Sequence, residues 1–128
     1  MDIITKKQLN ILVQLAEADK HFARAERELI SKIAKEKNFP EEELSELIRN
    51  PEPIGTLGAL SPEQKFNYLM ACVHLIFVDQ KIFEKEITFG KNIAYKLGFK
   101  NGALEFLIEQ YSKLSAEELK NRLLRDFL

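Results

Sequence analysis

Two short stretches of this 128-residue chain carry the side chains best suited to chemistry. They read Asp-Lys-His-Phe-Ala-Arg-Ala-Glu from Asp19 to Glu26 and Asp-Gln-Lys-Ile-Phe-Glu-Lys-Glu from Asp79 to Glu86. Each places an aspartate seven residues before a glutamate, with an apolar residue, Phe22 or Ile82, three positions after the aspartate. Carboxylates combined with backbone carbonyls are hard oxygen donors, the ligands that Ca²⁺ and Mg²⁺ prefer. Asp19, Glu26, Asp79 and Glu86 are therefore the candidate metal ligands. Glu17, Glu28 and Glu84 are close enough in sequence to add oxygens, whereas Lys20, Arg24, Lys81 and Lys85 oppose a cation. The calcium-loop spacing of an EF-hand is absent.

The same residues have a reading without any ligand. A glutamate in the first turn of a helix interacts favourably with the helix dipole, by about 0.3–1 kcal/mol. An aspartate at a helix C-terminus is unfavourable by a similar amount and needs a donor. Elbow N–H groups, or the free N–H groups that open the next helix, would supply one. A carboxylate that pins the elbow and a carboxylate that holds a metal are both consistent with the pattern.

Other reactive types are few. His21 falls in the first elbow and could lend a nitrogen to a metal. His74 falls in an apolar helix and reads as a core or boundary histidine. Cys72, the only cysteine, lies in the apolar run Leu69 to Val78 and reads as a buried small hydrophobe. No nucleophile–base set and no glycine-rich phosphate loop is evident, so no enzyme activity is expected. A net charge of -1 offers no basic surface for nucleic acid. The nine phenylalanines are not interleaved with basic residues and read as core. No apolar run approaches the roughly 20 residues that a membrane span needs. The start, MDIITKKQLN, lacks a signal pattern, which sets the expectation of a cytoplasmic protein.

The elements that must position the elbows are all helical; no stretch alternates with the period of a strand. A first helix is expected from near Thr5, with Gln8 completing a capping box. A second spans about Arg24 to Lys37 and is broken by Asn38, Phe39 and Pro40. A short third carries Leu44, Leu47 and Ile48 inward. Pro51, Pro53, Gly55 and Gly58 mark a linker over Asn50 to Leu60. Ser61, Pro62 and Gln64 open a fourth helix, apolar nearly all round through Val78 and so expected at the centre of the domain. A fifth covers about Glu84 to Leu97 with Gly98 as its C-terminal cap, and a sixth Ala103 to Tyr111. Ser115 and Glu118 cap a seventh, whose apolar face is Leu119, Leu123, Leu124 and Phe127.

The chain also repeats itself. Residues 9–48 align with residues 69–108 at a constant offset of 60, without gaps. Leu9/Leu69, Val13/Val73, Ile33/Ile93, Phe39/Phe99, Leu44/Leu104 and Leu47/Leu107 match as core positions, which any two amphipathic helices can share. Asp19/Asp79 and Glu26/Glu86 match without being apolar. The expected fold is thus all-α: residues 1–128 as one domain, a bundle of about seven helices formed by internal duplication, with a C-terminal helix at about 115–127.

Ala18-Asp19, Phe22 and Glu26, repeated as Val78-Asp79, Ile82 and Glu86, resemble the TerB-like (tellurite-resistance protein B) family, which includes the N-terminal domain of DjlA-type membrane co-chaperones. Lys20 and Gln80 stand where that family usually has glycine. The resemblance, over about Leu9 to Ile108, implies a helical bundle, acidic positions that bind metal and a bacterial stress-linked role. The resulting expectation is a non-catalytic module that binds a divalent cation, a partner protein, or both. The alternative is a structural or self-associating domain, for instance a homodimer, whose acidic elbows only cap helices.

Overall fold

The computed structural model describes residues 2–18, 22, 24–78 and 84–128. Among the described residues the chain forms seven helices and no strand: α1 (Ile3–Glu17), α2 (Arg24–Glu36), α3 (Glu41–Arg49), α4 (Pro62–Val78), α5 (Glu84–Leu97), α6 (Ala103–Gln110) and α7 (Ala116–Asp126). No helix is long and apolar enough to cross a membrane.

α4 lies at the centre, as its nearly all-round apolar surface requires. It packs against α1, α2, α5, α6 and α7, and buries Leu69, Cys72, Val73, Leu75 and Ile76 completely. α1 is its counterpart, packed against α2, α3, α4 and α5. Exchanging α1 with α4, α2 with α5 and α3 with α6 maps the packing of these six helices onto itself. The pair α1–α2 becomes α4–α5, α1–α3 becomes α4–α6, α2–α3 becomes α5–α6, and α2–α4 becomes α1–α5. α7 alone has no counterpart; it covers α4 and α6.

The helix ends repeat as well. Asn38 (φ 58°) and Gly98 (φ 96°) both adopt the left-handed conformation that ends a helix. After α2, the Phe39 N–H donates to the Ala34 carbonyl at 2.8 Å and the Asn38 N–H to Lys35 at 3.1 Å. After α5, Phe99 donates to Ala94 and Gly98 to Tyr95, both at 3.0 Å. Each is a Schellman pair that satisfies two orphan carbonyls and turns a phenylalanine into the core. Phe39 and Phe99 are both buried.

Two expectations need correction at α1. The helix begins at Ile3, not Thr5, because Asp2 is its cap. The Asp2 carboxylate accepts the Ile4 N–H and the Thr5 hydroxyl, both at 2.9 Å, and these donors hold its pKa below the ordinary carboxylate range. Gln8 makes no box with Thr5; it is buried and accepts a bond from Lys37 Nζ at 2.8 Å. The other capping boxes form as expected. Ser61 and Gln64 bond reciprocally at 2.9 and 3.1 Å ahead of α4, and Ser115 and Glu118 do the same ahead of α7.

The linker is held by a side chain the periodicity did not single out. Asn10, buried in α1, donates from Nδ2 to the Glu52 carbonyl at 2.8 Å and accepts the Glu52 N–H at Oδ1 at 2.9 Å. Gln14 adds a bond to the same carbonyl at 2.6 Å. α7 turns Leu119 and Leu123 fully into the core, with Leu124 and Phe127 half-buried against it, so its apolar face is satisfied within the chain.

The matched helix ends respond oppositely to substitution. Gly98→Ala forces a Cβ into the left-handed region and lowers stability by about 1–2 kcal/mol. Asn38→Gly relieves the equivalent strain and raises the urea midpoint slightly. Urea unfolding of both variants reads the difference.

Candidate functional site

Each elbow joins one of the two central helices to the helix that follows it. α1 closes with the Ala18 N–H bonded to Leu15 at 3.1 Å, and α2 opens at Arg24. α4 ends at Val78 and α5 opens at Glu84. Asp19, Lys20, His21, Asp79, Gln80, Lys81 and Ile82 lie outside the described residues. Phe22 is half-buried and packs against the core, as its apolar character demands.

Glu26 and Glu86 carry the most informative geometry. Each is the third residue of its helix, and each is 1% exposed, as fully enclosed as the core leucines. Glu26 Oε2 and both carboxylate oxygens of Glu86 are sealed from solvent. A carboxylate removed from water needs strong compensation, because transferring charge to a low-dielectric interior is costly. Both glutamates do make polar interactions. The third helical position is where a glutamate reaches back to the N–H of the capping residue in a capping box. The residues preceding α2 and α5 in sequence are Ala23 and Phe83, which have no side-chain acceptor to complete such a box.

The neighbouring charges sort themselves. Arg24 turns to Glu28, Nε to Oε1 at 3.0 Å, in an exposed pair along α2. That pairing directs one elbow cation outward and removes Glu28 from the set of extra ligands. Glu17, Glu84 and Lys85 are exposed. α2 and α5 do not pack on each other among the described residues. Glu26 and Glu86 therefore sit on helices that do not touch, while Asp19 and Asp79 lie outside the described residues. No group of three or more His, Cys, Asp or Glu able to hold a metal occurs among the described residues.

The remaining reactive types have structural places. Cys72 is wholly buried, and burial pushes its thiol up to about 12, far from a reactive thiolate. His74, expected as a core or boundary histidine, is instead exposed on α4; its Nδ1 lies 2.6 Å from the Tyr111 hydroxyl, and desolvation holds it below the usual histidine value. Tyr68 donates to the Ile4 carbonyl, and burial, with the Asp2 charge, raises its hydroxyl to about 12. The sequence pattern singled out the elbow glutamates but did not show their burial, which depends on the packing around the two central helices.

The class the geometry defines is an all-α bundle with a buried glutamate in the first turn of both α2 and α5. No protein-family model, curated protein or solved structure matches the chain.

Removing either carboxylate tests the equivalence of the elbows. Glu26→Ala and Glu86→Ala each strip a buried polar interaction and lower stability by about 1–3 kcal/mol, by similar amounts. Exposed Glu84→Ala changes it by less than about 0.5 kcal/mol. Denaturant titration of the three variants checks the ranking.

Proposed function

We propose that this protein is a non-catalytic, TerB-like helical module, formed by internal duplication, whose two elbows each bind one divalent cation. Asp19 and Glu26 are the carboxylate ligands of the first site, and Asp79 and Glu86 those of the second. The observation that carries the reading is the burial of Glu26 and Glu86 at matching places 60 residues apart. A charged side chain enclosed twice in the same way marks a retained polar requirement, and a hard cation meets it. Duplication is supported by the packing set that maps onto itself and by the paired Schellman ends at Asn38 and Gly98. The stress-linked role and any partner protein belong to this reading through the resemblance alone.

Ligand number distinguishes the metals. Ca²⁺ takes six to eight oxygens, whereas Mg²⁺ is commonly held by one or two carboxylates and keeps several waters. Two carboxylates for each cation fit Mg²⁺ better.

A second reading has its own support. The third helical position of Glu26 and Glu86 is that of a capping glutamate, so the elbows would serve only to fix the angle between helices. Under it, the fold needs the carboxylates but not a metal.

Calorimetry on the full chain separates the two. Under the metal reading, Mg²⁺ gives heat with two sites per chain, and Asp19→Ala or Asp79→Ala leaves one. Filling a site at about 100 times its Kd stabilises the fold by about 2.7 kcal/mol. An absence of heat with Mg²⁺ and Ca²⁺, together with a melting temperature unmoved by a chelator, refutes the metal reading and leaves the capping one.

A further inference from the structure

We draw no further inference here: the strongest candidate, the open groove of about 470 Å³ between α2 and α4 with its apolar floor of Leu29, Ile33, Ala71 and Val78, carries nothing, because nothing in the structure shows what covers it.

Discussion

The packing of α1 against α4 limits everything placed around it. Both helices are enclosed on most sides, so a polar side chain on a buried face of either cannot reach bulk water and must find a partner within the chain. Each such side chain consequently fastens a piece of the periphery. Thr5 bonds the N-terminal cap, Gln8 bonds Lys37 beyond the end of α2, and Asn10 bonds the linker backbone at Glu52. Tyr68 of α4 reaches the Ile4 carbonyl and ties the two central helices together. Buried polar groups here act as staples, because leaving any one of them unpaired would cost about 1–3 kcal/mol.

That constraint explains which parts of the fold were legible in the sequence. The apolar stripes of α2, α3, α5 and α7 and the caps at Ser61, Gly98 and Ser115 follow from local rules, and they stand where those rules place them. The centrality of α4 was legible because its surface is apolar nearly all round. The equal centrality of α1 was hidden by Thr5 and Gln8, which read as a capping pair, and by Asn10, which no pattern singled out. Their partners are Asp2 nearby and Lys37 and Glu52 far along the chain, and periodicity carries no information about such distant pairings. At the elbows, the acid spacing was legible and the depth of Glu26 and Glu86 was not. A first-turn glutamate on an isolated helix is solvated, and only packing of the domain encloses it.

The enclosure of those glutamates carries an energetic implication. At an exposed first turn, the attraction between a glutamate and the helix dipole is worth about 0.3–1 kcal/mol. Taking a carboxylate out of water costs several kcal/mol even after relaxation. The dipole alone therefore cannot account for two glutamates that are 1% exposed. Specific donors or a cation must contribute the difference.

The two halves also differ in an instructive way. After α3, the chain enters a linker rich in proline and glycine, held by the amides of Asn10 and Gln14. After α6, it enters a short turn and then α7, which covers α4 and α6 where the first half has no such helix. The matching position differs accordingly: Gln14 bonds a backbone carbonyl and His74 a tyrosine hydroxyl. A side chain–backbone bond is indifferent to the identity of the residue it grips. A side chain–side chain bond depends on both residues and, with histidine, on proton concentration. The asymmetry sits at the end of the central helix that also leads, through Val78, into the second acidic elbow.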